Sequence, residues 1–514
     1  MAQWLVGIFP TGLYGAAMNM QSPMNNCSIR SVTAGQLAAV AQECLDQQMR
    51  FLMAWHDWEG QQCVVRYLLS QKDNPEFVLL ELRGTDTIPS LAALVPLLGW
   101  YEREMQDLGG LHFTGHPEPF PLIIHEGFSI SQPPLGINGR SGHLSGLYQP
   151  PTMPEVQGDQ VQDLYWGPVR ADVVETAEFH YSYIGEAILH YHPRLFFKHR
   201  GMEARFAGQD AQRSVYLAER VSGVGSACHA LAYCQAVENA WGIEVPPRAQ
   251  LLRVIIVELE RLYNHFHYFG QLSKTTTLKV GAATGFLMEE KVKQLAGELT
   301  GSRYLRSLLR VGGLRRDLQA EHLAHALEPI IDEGEAYLDR LQQTATHLDR
   351  LMGTGVLSPS AAFDQGATGP VARASGLDRD LRRDHPYAAY HKLRFNVPVR
   401  QKGDAMARSD VRGEALREAI ALLVQASGRL KAGPVHAEFD VPGGAQQGLG
   451  WAETPRGTLI YAVRIEDGRL QRVKIKSPSF SNWRVFPLTV HGTNMMDYAI
   501  NEASFGLTIA GCDR

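Results

Sequence analysis

After Pro246-Pro247 the chain carries Leu252, Ile255, Leu259, Leu262, Phe266 and Phe269 at spacings of three and four. That period belongs to one face of an α-helix, and a proline pair just ahead of it suits a helix start. A helix with such a stripe gains most of its stability from the elements that cover it. Lys291 to Leu299, Ala320 to Leu351 and Val411 to Leu430 continue the pattern, which predicts a helical bundle in the middle of the chain. From Thr458 the character changes to TLIYAVRIEDGRLQRVKIKSPSF, where Asp467-Gly468 between alternating runs predicts a β-hairpin.

Upstream, Ala34 to Met49 reads as a helix, and Cys63 to Leu69 and Phe77 to Leu82 read as strands, giving a small α/β domain over 1–128. Ser129 to Tyr165 holds five Pro and five Gly in 37 residues, a linker composition. Residues 166–514 then form a large, mainly helical domain with a small β region, so the fold class is α+β. A net charge of −5 leaves no electrostatic footprint for a polyanion, and no nucleic-acid partner is expected. The apolar runs fall short of the roughly 18 residues a membrane span needs, so the chain has no transmembrane helix of its own. The N-terminal MAQWLVGIFPTGLYG lacks a basic region and contains Pro10, which argues against a signal segment and for a cytoplasmic location.

Three polar clusters could carry chemistry. HRGME, His199 to Glu203, follows the apolar Leu195 to Phe197; its bland reading is a helix start with a solvated charge pair. RVSGVGSACHALAY, Arg220 to Tyr233, has only half of a GxGxxG and suits close helix packing better than dinucleotide binding. LRRDHPY, Leu381 to Tyr387, has a charge density that usually faces solvent. The six cysteines form no CxxC and are too scattered for a disulfide framework. The pairs His190/His192 and His265/His267 do not share a helix face at that spacing, so a zinc site is not expected.

The order and spelling of these clusters carry a resemblance. WYEREMQDLGGLHFTGHPEPFPLIIHEGF, Trp100 to Phe128, resembles the signature end of the 30 kDa subunit of respiratory complex I. Residues 167 to 514 resemble the large subunit of membrane-bound nickel-iron hydrogenases and the 49 kDa subunit of complex I. The matching stretches are GPV at 167–169, HRGME at 199–203, AYCQAVENAWGIEVPPRAQLLRVIIVELERLYNH at 232–265 and RVGG at 310–313. DLRRDHPY at 380–387, GLGWAETPRGTLIYAV at 448–463, KSPSFSNW at 476–483 and Asp513-Arg514 complete them. The fusion of both modules resembles the large subunit of formate hydrogenlyase-type complexes.

In the hydrogenases the resemblance implies a metal held by two CxxC pairs, because soft sulfur suits nickel. Here Ser222 and Gly225 stand at the first pair and Thr508 and Gly511 at the second, with Cys512 one place off, so this chain is expected to bind no such metal. For a quinone site the resemblance implies a His where Arg170 stands, a Tyr where Gly223 stands and a carboxylate near Lys279. Glu203 matches a proton-relay carboxylate of the hydrogenases. Glu203, His229, His199 and Arg200 are therefore candidates for a relay or cleft, and Arg170, Asp384 and His385 for cleft contacts. The implied protein is a peripheral-arm subunit on the cytoplasmic face of the inner membrane, coupling electron transfer to ion translocation without hydrogenase activity. Its implied partners are an iron-sulfur small subunit, which carries the cluster, a ferredoxin-like subunit and integral membrane subunits. Quinone is a candidate ligand. The alternatives are a catalytically degenerate scaffold and a quinone-reducing subunit with non-standard contacts.

Overall fold

The structure is a computed structural model that describes residues 27–84, 86–125, 133–136, 155–169 and 175–514. The N-terminal apolar stretch, Arg170 and most of the proposed linker lie outside the described residues.

The first unit is built from β1 (Cys27–Val32), α1 (Leu37–Asp46), β2 (Arg50–Glu59), β3 (Gln62–Ser70), β4 (Phe77–Arg83), β5 (Thr87–Pro89), α2 (Leu98–Gly109) and β6 (His112–Thr114). Its sheet has the order β1-β4-β3-β2, with β1 parallel to β4 and the other pairs antiparallel. The strands and helix expected at Cys63, Phe77 and Ala34 are present. β2 and β3 are buried along nearly their whole length, because α2 packs on β2 and the strand Arg469–Lys476 of the second unit also lies against β2.

The second unit begins with an antiparallel sheet of β7 (Gln162–Trp166), β8 (Glu178–Ile184) and β9 (Ala187–Arg194). The Gln162–Trp166 strand falls at the end of the Pro/Gly-rich segment. His190 and His192 lie on β9, where alternate residues do share a face. Among the described residues, however, no group of His, Cys, Asp and Glu could hold a metal ion.

The helical body follows as α3 (Met202–Phe206), α4 (Val215–Ala218), α5 (Ser226–Trp241), α6 (Pro247–Thr275) and α7 (Lys279–Thr300). After β10 (Leu309–Arg310) and β11 (Gly313–Leu314) come α8 (Leu323–Gln343), α9 (Ala345–Leu351), α10 (Pro359–Asp364), α11 (Gly369–Ala374), α12 (Leu381–Asp384) and α13 (Ala405–Ser427). The antiparallel meander β12 (Ala445–Thr454), β13 (Gly457–Glu466), β14 (Arg469–Lys476) is the predicted hairpin plus one strand. Its turn places Asp467 at φ 48° and Gly468 at φ 76°, the left-handed geometry that an Asp-Gly pair supplies. α14 (Pro478–Val485), α15 (Tyr498–Phe505) and α16 (Ile509–Asp513) close the chain.

The helix start at Pro247 matches the sequence expectation. The stripe does not: α6 is buried almost all round, with Glu258, Glu260 and Arg261 interior too, because α5, α7, α13 and α15 surround it.

Helix α5 lies directly on β12, and small residues allow that approach. An ideal Cβ at Gly450 would sit 2.0 Å from the Ala232 carbonyl oxygen and 2.4 Å from the Ala236 nitrogen. One at Gly448 would sit 2.1 Å from the Ala236 carbonyl oxygen. Both contacts are backbone, which cannot step aside as a side-chain tip can. Gly450→Ala is therefore expected to lower unfolding stability by about 1–3 kcal/mol in urea denaturation, whereas Gly433→Ala, with nothing within 4 Å of the new methyl, leaves it unchanged.

Candidate functional site

Strand β14 reads Arg472-Val473-Lys474-Ile475-Lys476, so its three basic residues share one face. That face is buried: Arg472 is 8%, Lys474 1% and Lys476 3% exposed. Glu203, in the first turn of α3, meets it from one side. Its Oε2 accepts from Arg472 Nη1 at 2.8 Å, and its Oε1 lies 3.2 Å from Lys474 Nζ and 3.3 Å from Arg514 Nη1. The Ile475 N–H donates to the same oxygen at 3.1 Å. Glu104 of α2 meets the face from the first unit, 2.7 Å from Lys474 Nζ and 3.0 Å from Arg514 Nη2.

Burial alone would push the Glu203 carboxyl up, but Lys474, Arg472 and Arg514 outweigh it and hold the group well below the usual carboxylate range. Glu203 is thus a fixed anion, and a fixed anion is a poor proton carrier. The solvated reading of HRGME is overturned as well, because first-unit and C-terminal residues enclose it.

The same motif holds the segments where the thiolates would stand. Arg200 donates from Nη2 to the Val221 carbonyl at 2.6 Å and to the Ala510 carbonyl at 2.9 Å, each one residue before a ligand position. His199 Nδ1 lies 2.6 Å from the Asp513 carbonyl oxygen. The Asp513 carboxyl accepts from the Lys198 N–H at 2.9 Å, and burial pushes it up to about 7.

At the positions themselves the donors are hydroxyls. Thr508 caps α16 by accepting from the Gly511 N–H at 3.3 Å and lies 3.1 Å from Ser479 Oγ. A Cβ at Gly511 would sit 2.6 Å from Thr508 Oγ1 and 3.5 Å from Ser477 Oγ. Hard, neutral hydroxyls do not replace soft thiolates for nickel, so these residues do not fit the metal centre. Near Gly225, a Cβ would meet His229 Cδ2 at 3.5 Å, so the imidazole edge faces that position. His229 Nδ1 is 2.8 Å from the Tyr461 hydroxyl, and burial lowers its pKa to about 3, which keeps the ring neutral.

A cavity of about 590 Å³ opens at Ile509, next to Thr508. Trp166, Phe179, Tyr268, Trp483 and Tyr498 supply aromatic wall, and Glu175, Asn264 and Arg456 are its polar groups next to Ile509. Glu175 accepts from the Ile509 N–H and, at 3.0 Å, from the Ala510 N–H, tying the residues just before β8 to α16. Arg456 donates from Nη1 to Asn264 Oδ1 at 2.8 Å and from Nε to the Gly506 carbonyl at 2.8 Å.

Asp384 and His385 lie elsewhere. Arg383 Nε donates to Asp384 at 2.9 Å, and the His385 ring stacks on Phe77 of the first unit with centroids 3.9 Å apart. The charges of LRRDHPY are not solvent-facing: Arg382 is 1% exposed, 2.9 Å from Asp380 and 3.3 Å from Glu258 on α6. The structure therefore sets Arg200, His199 and His229 against the segments carrying Ser222, Gly225 and Gly511, Glu203 against β14 and Arg514, and Asp384 and His385 at the seam between units. Sequence reasoning missed Glu104, Lys474, Glu175 and Arg456. The ERE of the first unit, the alternation in RVKIK and the Arg of ETPRG were the available signals; Glu175 had none.

Comparison with known proteins agrees with this architecture. Residues 31–136 match the family of the respiratory-chain NADH dehydrogenase 30 Kd subunit, 200–302 the nickel-dependent hydrogenases, and 279–442 and 435–514 the respiratory-chain NADH dehydrogenase 49 Kd subunit. The chain belongs to the family of complex I 49 kDa and nickel-iron hydrogenase large subunits, in the form fused to a 30 kDa-like domain. It is 31% identical over 426 residues to formate hydrogenlyase subunit 5 of Escherichia coli (strain K12), covering 80% of this chain and 74% of that protein. It is 28% identical over 487 residues to the fused C/D polypeptide of NADH-quinone oxidoreductase from Cereibacter sphaeroides (strain ATCC 17029 / ATH 2.4.9), covering 85% of this chain and 83% of that one. A chain of the membrane-bound sulfane sulfur reductase, an archaeal respiratory membrane complex, superposes with a TM-score of 0.65 at 25% identity, over 69% of this chain and 99% of that chain.

Glu203→Gln leaves three interior cations short of one anion and is expected to cost about 3–5 kcal/mol at pH 7. Because the folded-state pKa of Glu203 is depressed, its contribution is present above the unfolded value of about 4.3 and lost as the pH falls. Denaturation midpoints from pH 7 to 3 should accordingly show the gap between wild type and variant narrowing in acid.

Proposed function

We propose that this chain is the peripheral-arm subunit of a membrane-bound, energy-converting oxidoreductase that works without a nickel-iron centre. Electrons arrive from an iron-sulfur cluster in a partner subunit and pass to a small acceptor in the aromatic cavity beside Thr508 and Ile509. The observation that carries this reading is the combination of Ser222, Gly225, Thr508 and Gly511 at the expected ligand positions with a cavity of about 590 Å³ that reaches Ile509, next to Thr508. A pocket of that size, with an aromatic wall and several charged groups including Arg456, Arg412 and Glu175, suits a small-molecule ligand. Arg456 offers positive charge to an acceptor that gains electrons, and the neutral His229 ring faces the nearby position of Gly225.

Among the described residues no helix is long and apolar enough to cross a membrane, so contact with the membrane would run through partner subunits. The formate hydrogenlyase, NADH-quinone oxidoreductase and membrane-bound sulfane sulfur reductase relatives support a multi-subunit membrane assembly. The partners in this reading are an iron-sulfur small subunit, a ferredoxin-like subunit and integral membrane subunits, with ion translocation coupled from the cytoplasmic face. Aromatic walls favour a planar acceptor, and quinone held by contacts other than the usual His and Tyr is the second reading. A pure docking scaffold is the remaining competitor, from a different functional class.

The isolated intact complex is expected to contain no stoichiometric nickel and to consume no hydrogen; either result to the contrary sinks the proposal. Arg456→Gln and His229→Phe should leave assembly intact while lowering turnover with the natural donor at least tenfold. Unchanged turnover in both variants would mean that the subunit is a scaffold. A quinone-site inhibitor that spares electron transfer would remove the quinone reading.

A further inference from the structure

Where β2 of the first unit begins, a small cavity of about 30 Å³ lies between the two units. Arg50, Arg379 and Lys476 line it, together with His385 and Asp384. Its size admits one or two water-sized particles and no organic ligand. Among the described residues, none of the three cations has a carboxylate within ion-pair distance. Arg50 spends Nη2 on the Ala367 carbonyl at 2.5 Å and the Ala362 carbonyl at 3.4 Å. Lys476 donates to Ser481 Oγ at 3.0 Å and the Thr458 carbonyl at 3.3 Å, both neutral acceptors. The carboxylates in the wall are already engaged: Asp384 by Arg383 and the Asp380 N–H, and Asp380 by Arg382 and Arg373. His385 Nε2 is buried with no hydrogen-bond partner.

Like charges lining one small cavity repel. Burial, and after it Arg50, pulls Lys476 down to about 7, while burial and then Arg379 pulls Arg50 down to about 10. Lys476 loses part of its charge near neutral pH, but an arginine does not discharge there, and a counter-ion relieves what remains between Arg50 and Arg379. We propose that this cavity is a binding site for a small monovalent inorganic anion of chloride size, held by Lys476, Arg50 and Arg379, which fastens the first unit onto the second. A chloride ion matches the cavity, accepts several N–H donors at once and needs no fixed geometry. Its cations come from three separate segments of both units, so the ion adds to the Lys72–Asp378 ion pair and the Arg50 bonds to the Ala362 and Ala367 carbonyls that join the units there.

The test uses the full chain at constant ionic strength, exchanging gluconate for chloride. Chloride at a hundredfold excess over its dissociation constant should raise the thermal midpoint by roughly 2 °C or more in a saturable way. Lys476→Met should abolish that rise while Lys291→Met, at the exposed ion pair with Glu333, should retain it. A bromide-soaked crystal should give an anomalous peak against Lys476 and Arg50. Equal midpoints in chloride and gluconate, or a saturable rise undiminished in Lys476→Met, would overturn the site. If the variant does not fold, the bromide peak decides: its presence in the wild-type seam supports the site, and its absence overturns it.

Discussion

Glu104 and Glu203 hold Lys474, Arg472 and Arg514 in one buried cluster, and both units are arranged around it. Ion pairs this deep are weak stabilisers overall but severe specifiers, since losing any partner strands a charge away from water. One carboxylate comes from the first unit, the other from the HRGME segment, and the cations come from β14 and the C-terminal end. The first unit is therefore part of the second unit's interior. Its removal would expose the basic face of β14 and leave Lys474 without Glu104.

That frame continues into the HRGME segment. Arg200 holds the residues before Ser222 and Gly511, and His199 the Asp513 carbonyl after Gly511, through backbone contacts indifferent to the side chains at 222 and 511. Thr508 then turns its hydroxyl to capping α16, and Glu175 takes the adjoining N–H groups. Thr508 and Gly511 are thus ordinary helix-end structure, and an aromatic cavity opens beside Ile509.

Much of the fold was legible in the sequence. The period of three and four after Pro247, the alternation around Asp467-Gly468 and the strands of the first unit are local patterns imposed by backbone geometry, and each appears where expected. The candidate site was legible in part. Arg200, His199 and His229 meet the segments their motifs pointed to, Glu203 pairs with the basic face of β14 and Arg514, and Asp384 and His385 lie at the unit seam. Their dense charge suggested solvent because surface charge is the common case; the structure pairs Arg382 with Asp380 and Glu258 inside the protein. Glu175, in a connection without periodicity, carried no signal at all.

Residue type and spacing along the chain were enough to establish the helix and strand periods, the family, and the absence of thiolates at Ser222, Gly225, Thr508 and Gly511. Packing was needed to show that Arg472, Lys474 and Lys476 are interior, that three cations surround Glu203 and lower its pKa, and that Arg50 and Lys476 line one cavity between the units. The ionisation and cost of a buried charge are set by what packs over it, and Glu104 reaches Lys474 from 370 residues away. No local pattern in RVKIK records that distance.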